Sequence, residues 1–377
     1  MRITQTGVHR VAVNHRGDWL FVALSDEAGR TGWGEASHSG DDARASAELE
    51  VLLARLTRLS QSPGGPRQPR ELLDALAREL PTEKIARTAA SAVEQALVDL
   101  VCRREQRSVL AWLDDGEQHV PAAVPVYANV NRMCSDRSPH SVAAAGRSAI
   151  GAGITRLKFA PFDEVSVQAL SSAGADVNAL MEPGADRLRA LREAVGADAE
   201  LMVDCHWRFL PHCLEPLTRV VREVDVRWIE DPLPQLDARS ASLLRDATGA
   251  RIAGGEALLR HEEFLALARS GTVDVLIADV KFVGGIEALQ AICKLADEHG
   301  LQFAPHNPSG PVSTAASAHV VAANANAEVL EFAFGEVEWR SELAAGELLR
   351  DGWLSVAGPG LGLDMNLAAA HAAQQER

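Results

Sequence analysis

The chain has 377 residues, 47% of them hydrophobic and 24% charged, which is the composition of an ordinary globular protein. Its formal net charge of −15 argues against nucleic acid or an anionic membrane surface as the usual partner. Five scattered cysteines give no support for a disulfide or zinc framework, and no segment reads as a signal peptide or a membrane span, so we expect a cytoplasmic protein.

The first third of the chain predicts a compact α+β domain. Residues 1 to about 40 alternate in the manner of strands, with a turn at residues 27–30. From residue 42 to about 104, apolar residues recur at helical spacing, for example Leu49, Leu52, Leu53 and Leu56. We place this domain at residues 1–120 and expect the turn-rich segment 345–377 to fold back and complete it.

Residues 121–344 have a different rhythm, in which short apolar runs alternate with segments of helical spacing. The runs are VPVYANV, RLKFAP, LMVDCH, VRWIED, RIAGGE, VDVLIAD, QFAPHN and VLEFAF. This number of alternating units favours a closed parallel α/β barrel over an open sheet. The long connection at residues 161–183 is predicted to be a loop at the mouth of the barrel.

Three carboxylates close successive runs at equal intervals. Asp204, Glu230 and Glu256 each follow the previous one by 26 residues. The carboxyl ends of barrel strands converge on one face, so these side chains should meet there. Oxygen ligands suit Mg²⁺, and three close carboxylates need a neutralising charge, so we predict a magnesium site. The alternative is that each carboxylate caps a helix or pairs with a basic residue.

The ordered set of motifs strongly resembles the enolase superfamily, in particular its mandelate racemase subgroup. The motifs are GWGEAS, RLKF, LMVDCH, WIEDPL, IAGGE, IADVKFVGG, APHNPSGP, VLEF and GPGLG. The resemblance implies an α/β fold: a modified TIM barrel, (β/α)7β, with an α+β capping domain and an essential Mg²⁺. Members abstract the proton α to a substrate carboxylate and stabilise the resulting enediolate on the metal.

The resemblance also assigns bases on the two faces of the substrate. Lys158 takes the place of the second lysine of a Lys-x-Lys motif, whose first position here is Arg156. We expect this fixed cation to lower the pKa of Lys158. Pairing of Lys158 with the metal-site carboxylates is the simpler alternative. On the opposite face the family pairs His306 with Asp279 as a base dyad.

Lys281 complicates the assignment of the dyad. It shares a strand face with Asp279, and relatives in the muconate-lactonising subgroup use a lysine on this strand. The Gly284–Gly285 pair places the family's key position on Asp279, so we treat Lys281 as secondary.

Two further residues bear on the type of reaction. His206 lies two residues after Asp204, where several acid-sugar dehydratases of the family have a histidine that protonates a departing β-hydroxyl. A purely substrate-binding role is the alternative. Glu331 matches the carboxyl group that donates a hydrogen bond to the substrate carboxylate, which requires a raised pKa. The alternative is a buried carboxylate paired with a base.

Specificity is less clear from the sequence. We consider Arg156, His15, Asn129 and Asn307 candidate substrate-binding residues, since they lie near strand ends or in a loop expected over the barrel. Trp207 and Arg208 could line the pocket for the same reason.

These patterns predict Mg²⁺-dependent dehydration of an acid sugar, an aldonate or aldarate, to a 2-keto-3-deoxy acid. Racemisation, epimerisation or cycloisomerisation at the same site is the first alternative, and a non-catalytic metal-binding barrel is the second. We expect a small-molecule carboxylate as the substrate and a homo-oligomer as the assembly.

Overall fold

The computed structural model describes residues 1–14, 17–62, 69–113, 123–134 and 136–375. The N-terminal part is an antiparallel sheet in the order β1-β2-β3, packed against helices. Its elements are β1 (Ile3–Asn14), β2 (Gly17–Asp26), β3 (Thr31–Glu35), α1 (Asp42–Gln61), α2 (Pro69–Arg78), α3 (Lys84–Arg104) and α4 (Val109–Leu113). The predicted α+β capping domain is therefore present.

Helix α3 is the central element of this domain, and it is buried along most of its length. It begins where the Glu83 side chain accepts a hydrogen bond from the Ala86 N–H. Gly32 and Gly34 of β3 allow the sheet to approach its backbone closely, because a Cβ at Gly34 would overlap the carbonyl oxygen of Ala92.

The barrel strands run parallel in the order β10-β9-β8-β7-β6-β5-β4, and β11 pairs with β4. Hydrogen bonds between Phe303 and residues 326–328 join the β10 side to the segment that leads into β11. The strands are β4 (Ala123–Asn129), β5 (Arg156–Phe159), β6 (Glu200–Asp204), β7 (Val226–Glu230), β8 (Arg251–Gly254), β9 (Val275–Leu276), β10 (Gln302–Phe303) and β11 (Leu330–Phe332).

Helices follow the first seven of these strands in chain order. They are α5 (Pro139–Gly151), α6 (Val167–Leu170), α7 (Val177–Val195), α8 (Leu214–Val224), α9 (Ala238–Thr248), α10 (His261–Arg269), α11 (Val280–Val283), α12 (Ile286–Glu298) and α13 (Pro311–Ala322). Short 3₁₀ turns occur at Val130–Arg132 and Pro211–Cys213. The predicted (β/α)7β barrel is confirmed. No helix in the described part of the chain is long and apolar enough to cross a membrane.

The prediction that residues 161–183 form one long loop is wrong. A helical turn, α6, interrupts the segment, and α7 begins at Val177 with Pro183 inside it. Asp176 starts this helix because its side chain accepts hydrogen bonds from the N–H groups of Asn178 and Ala179.

Two carboxylates of the capping domain bind helix ends of the barrel. Glu35 accepts hydrogen bonds from Gly310 N–H and Ser313 N–H at the start of α13. Glu94 accepts from the N–H groups of Ile286 and Glu287 at the start of α12. Each carboxylate satisfies donors that the helix itself leaves unpaired. The capping domain is therefore attached directly beside the strand ends that carry the site.

The C-terminal segment contacts both parts of the molecule. It contains α14 (Arg340–Leu343), β12 (Ala344–Ala345), β13 (Leu349–Arg350), β14 (Trp353–Ser355), β15 (Asp364–Met365) and α15 (Leu367–Gln375). β14 pairs antiparallel with barrel strand β4, whereas Leu361 N–H donates to Asp99 of α3. The segment thus packs on the barrel as well as on the capping domain, and the domain boundaries of the sequence analysis remain predictions.

Gly34→Ala should destabilise the protein, because the new methyl group would force β3 away from α3. We expect the free energy of unfolding to fall by about 1–3 kcal/mol, measured by urea denaturation. Gly151→Ala is the control, since a Cβ there meets no atom within 4 Å. Equal stability of the two variants would contradict this account of the packing.

Candidate active site

The three carboxylates predicted to bind metal meet at the carboxyl end of the barrel. Asp204 and Glu230 end the neighbouring strands β6 and β7 in register, and Glu256 follows β8. One ligand oxygen from each lies within 4.8 Å of the other two. All three are largely shielded from solvent, so their mutual repulsion is strong.

The carboxylate cluster fits a divalent cation. Burial, together with the carboxylates of Asp204 and Glu230, raises the pKa of Glu256 well above its usual value. The Oε2 atom of Glu256 is buried and accepts no hydrogen bond from the described residues. Hard oxygen donors, like charge and an unsatisfied buried oxygen are the features expected of a Mg²⁺ site.

Lys158 extends from β5 into the same site and is almost fully buried. Its Nζ lies 2.8 Å from Glu230 Oε1 and 3.3 Å from Glu331 Oε1. Burial alone would lower the pKa of Lys158, but these carboxylates outweigh burial and raise that pKa well above its usual value. The expected lowering of the Lys158 pKa is therefore wrong for this arrangement.

Arg156 does not take part in the site. It is the first residue of β5 and pairs in register with Glu200, the first residue of β6. It therefore lies at the amino ends of the strands, where its Nε is 3.6 Å from Glu200 Oε2. The structure supports neither an effect of Arg156 on Lys158 nor a contact with substrate.

The predicted dyad has the expected geometry. His306 Nδ1 lies 2.9 Å from Asp279 Oδ2, and His306 Nε2 is 3.2 Å from Glu256 Oε2. Burial would raise the pKa of Asp279, but Lys281 and His306 outweigh it and lower the pKa well below its usual value. An ionised carboxylate only accepts hydrogen bonds, so the proton of a neutral His306 is on Nδ1. Nε2, near the metal carboxylates, then carries the basic lone pair.

His206 lies beyond the end of strand β6, in the turn that follows Asp204. Strand β6 ends at Asp204, and His206 follows in a turn with φ of 47°. This turn brings His206 Nε2 to 2.8 Å from Asp204 Oδ2. Burial would lower the pKa of His206, but the hydrogen bond to Asp204 and the negative charge of Asp204 together outweigh burial and raise that pKa. The imidazole is beside the metal carboxylates and 40% exposed.

Glu331 ends the barrel on β11 and is fully buried. It accepts hydrogen bonds from Asn129 Nδ2 at 2.7 Å and from Asn307 N–H at 2.9 Å. Burial would raise the pKa of Glu331, but Lys158, His306 and these hydrogen bonds together lower it. The expectation of a raised Glu331 pKa is therefore wrong, because hydrogen-bond donors and the positive charge of Lys158 surround this carboxylate.

The catalytic candidates border a cavity of about 440 Å³. Lys158 and His306 reach it from the second and the seventh barrel strand, on either side of the three strands that carry the carboxylate cluster. The lining residues are Asn129, Asn131, Arg132, Arg137, Lys158, Ala160, Asp163, Asp204, His206, Arg208, His306, Pro308 and Glu331.

Only some of the predicted substrate-binding residues border this cavity. Asn129 lines it, whereas Asn307 is fully buried outside the lining and binds Thr314 and the Glu331 carbonyl. Asn307 thus supports Glu331, and its predicted contact with substrate is not supported. His15 lies outside the described residues. Arg208 lines the cavity, while Trp207 lines a neighbouring one of about 370 Å³.

Arg132 and Arg137 were not identified from the sequence. Arg132 donates to Glu336 at 3.0 Å, and Arg137 contacts Asp163 and Asn131. The segment after β4 that carries them shows no catalytic motif. Its only signal is two arginines downstream of a predicted strand end, and many surface loops share that signal.

Comparison with known proteins agrees with this fold. Residues 141–370 match the family described as Enolase C-terminal domain-like, and the chain belongs to that family. It is 28% identical over 371 residues to a D-xylonate dehydratase of Haloferax volcanii, covering 97% of this chain and 88% of the relative. It is 26% identical over 340 residues to a D-galactonate dehydratase of Ralstonia nicotianae, covering 89% and 82%.

A solved structure gives the same fold. The mandelate racemase/muconate lactonizing enzyme-like protein of Rubrobacter xylanophilus superposes with a TM-score of 0.82 at 25% identity, over 98% of this chain and 97% of that one. The resemblance to the enolase superfamily and its mandelate racemase relatives is confirmed.

Glu230→Gln should weaken Mg²⁺ binding, because it removes one of three clustered negative oxygen ligands. In wild-type protein first freed of metal with EDTA, addition of Mg²⁺ at 100 times its Kd should stabilise the fold by about 2.7 kcal/mol. This stabilisation is measured as a rise in Tm. The variant should show little rise at the same concentration. Glu182→Gln, at a side chain 60% exposed, is the control and should respond like the wild type. An equal Mg²⁺-dependent rise in Glu230→Gln would rule out this metal site.

Proposed function

We propose that the protein is a Mg²⁺-dependent lyase that dehydrates an acid sugar, an aldonate or aldarate, to a 2-keto-3-deoxy acid. The observation that carries the proposal is the cluster of Asp204, Glu230 and Glu256, flanked by Lys158 and by the His306–Asp279 dyad in one cavity. Relatives named for D-xylonate and D-galactonate dehydration support this substrate class.

The metal would stabilise the negative charge that develops on the substrate carboxylate when its α-proton is removed. The α-proton is a very weak acid, so a base must lie close to it. His306 Nε2 offers a lone pair in the orientation that Asp279 sets. Lys158 faces the cavity from the other side and can act as the second base once Glu230 is engaged by a cation. Either base takes the α-proton, and the electron pair of the C–H bond remains on the substrate.

The departing β-hydroxyl needs a proton in order to leave as water. His206 is beside Asp204, partly exposed in the cavity wall, and its raised pKa favours the protonated form. It can therefore donate that proton while the β C–O bond breaks. The enol that results takes up a proton at the β-carbon, loses the proton of its enol hydroxyl and becomes the 2-keto-3-deoxy acid.

Glu331 has a different role from the hydrogen-bond donor expected from the family. As a carboxylate that accepts from Asn129 and lies 3.3 Å from Lys158 Nζ, it orients the ammonium group. Its negative charge also keeps Lys158 protonated until substrate or metal changes the local charge.

Racemisation or epimerisation is the second candidate, and the two-sided arrangement of Lys158 and His306 favours it. A base on each face can remove the α-proton from one side and return it to the other. Dehydration produces a keto acid, whereas epimerisation conserves mass and exchanges the α-proton with solvent.

A library of aldonates and aldarates, incubated with enzyme and Mg²⁺, separates these reactions. Semicarbazide detects the keto acid, and NMR in D₂O detects deuterium at the α-carbon. We expect keto acid from at least one acid sugar. If deuterium is incorporated and no substrate gives keto acid, the dehydration proposal is wrong and epimerisation takes its place. The absence of both signals would favour the non-catalytic barrel. The small-molecule partner is part of this proposal, and the homo-oligomer remains a prediction.

His206→Asn should lower kcat for dehydration by roughly 10²–10⁴-fold, the usual scale for a positioned proton donor. The metal carboxylates are unchanged, so exchange of the α-proton in D₂O should outlast keto-acid formation. His212→Asn, at an exposed position, is the matched control and should keep normal turnover. An unchanged kcat with a raised KM would instead make His206 a substrate-binding residue.

A further inference from the structure

Lys281 is a fully buried lysine that the proposed reaction does not use. Its Nζ lies 2.9 Å from Asp279 Oδ1 and 2.7 Å from Asp279 Oδ2, and it also donates to Ser309 Oγ. Its backbone N–H donates to Asp279 Oδ1 at 2.8 Å. Both oxygens of Asp279 are therefore held by Lys281, and one of them is shared with His306.

This environment excludes Lys281 as a base. The side chain does not line the cavity among the described residues, and the donors of its ammonium are directed at Asp279 and Ser309. Lys281 is therefore not placed to reach the α-proton of a substrate in that cavity.

The contacts of Lys281 join two loops of the site. Asp279 follows β9, whereas Ser309 lies three residues after His306 in the loop that follows β10. The ammonium group thus fixes the distance between the loop of the acid and the loop of the imidazole. Capping-domain Glu35 holds the same second loop at Gly310 N–H.

We propose that Lys281 is a positioning residue of the His306–Asp279 dyad, which it locks in place by bonding both Asp279 oxygens and the His306 loop. The proposal rests on the function proposed above. Lys281 prevents Asp279 from rotating away from His306 and offsets the buried negative charge of the acid. A side chain that acts in this way should affect turnover only through His306.

A double-mutant cycle tests this dependence. Lys281→Met should lower kcat about 10- to 100-fold with KM nearly unchanged, the scale seen when an outer partner of a functional histidine is lost. In a His306→Asn background the same substitution should cost less than about twofold, because the dyad is already absent. A general loss of structure would lower kcat by the same factor in both backgrounds, and that result would overturn the proposal.

Lys84→Met is the matched control. Lys84 Nζ lies 3.9 Å from the Phe282 ring centre and Lys281 Nζ lies 5.2 Å from it, so the two ammonium groups share a neighbour. Among the described residues Lys84 makes no hydrogen bond or ion pair with Asp279 or His306, and only its charge acts on Asp279, from a longer distance. Its removal should leave kcat within about twofold of the wild type.

Lys281→Met also removes the ammonium group that offsets the buried charge of Asp279, and such a variant can fail to fold. Ser309→Ala avoids this problem, because it removes one bond of Lys281 without removing a charge. We expect a fall in kcat of about tenfold. Ser313→Ala is its control, since Ser313 Oγ is buried in the same region and has no hydrogen-bond partner among the residues that the structure describes. Equal turnover of the two serine variants would overturn the proposal.

A readout independent of turnover separates this inference from the proposed function. The proton between His306 Nδ1 and Asp279 should give a low-field ¹H NMR signal that His306→Asn removes. Lys281→Met should shift or broaden this signal, and Lys84→Met should not. An unshifted signal in Lys281→Met would refute the positioning role. Failure of every acid sugar to react would refute the proposed function, while the NMR result would still decide the role of Lys281.

Discussion

The mutual repulsion of Asp204, Glu230 and Glu256 is the constraint on which the site depends. Three carboxylates in a poorly solvated volume cannot all stay ionised without compensating charge. The chain supplies part of that charge through Lys158, whose Nζ lies 2.8 Å from Glu230 Oε1. Lys158, one of the two candidate bases, is therefore also a counterion of the carboxylate cluster. A bound cation would take over this role and so change the charge that surrounds Lys158.

The capping domain contributes to this arrangement through helix ends rather than through a broad apolar contact alone. Glu35 binds the start of α13 through Gly310 N–H, directly after the loop that carries His306. Lys281 binds the same loop at Ser309. The position of His306 thus depends on the carboxylate of Glu35 from the capping domain and on the ammonium group of Lys281, which follows barrel strand β9. Because both of these groups are buried, displacement of either one would leave its hydrogen-bond partners unsatisfied.

The expectations that failed concern charge and local backbone geometry. A raised pKa was expected for Glu331 from its place in the family, but Asn129 and Asn307 N–H both donate to it and the Lys158 ammonium lies nearby. Arg156 was expected to act on Lys158 because it is two residues away, yet it pairs with Glu200 at the amino end of the barrel. Spacing along a strand predicts which face a side chain takes, but not which charges surround it.

The sequence by itself determined the barrel, the capping domain and the convergence of the three carboxylates. Strand ends in a parallel barrel meet on one face, so the 26-residue spacing was sufficient to bring Asp204 and Glu230 side by side. Only the tertiary structure decided that His206 turns back onto Asp204 and that Lys281 is bound by Asp279 and Ser309. Such contacts depend on turns and on loops distant in sequence, whose relative positions follow from packing rather than from periodicity.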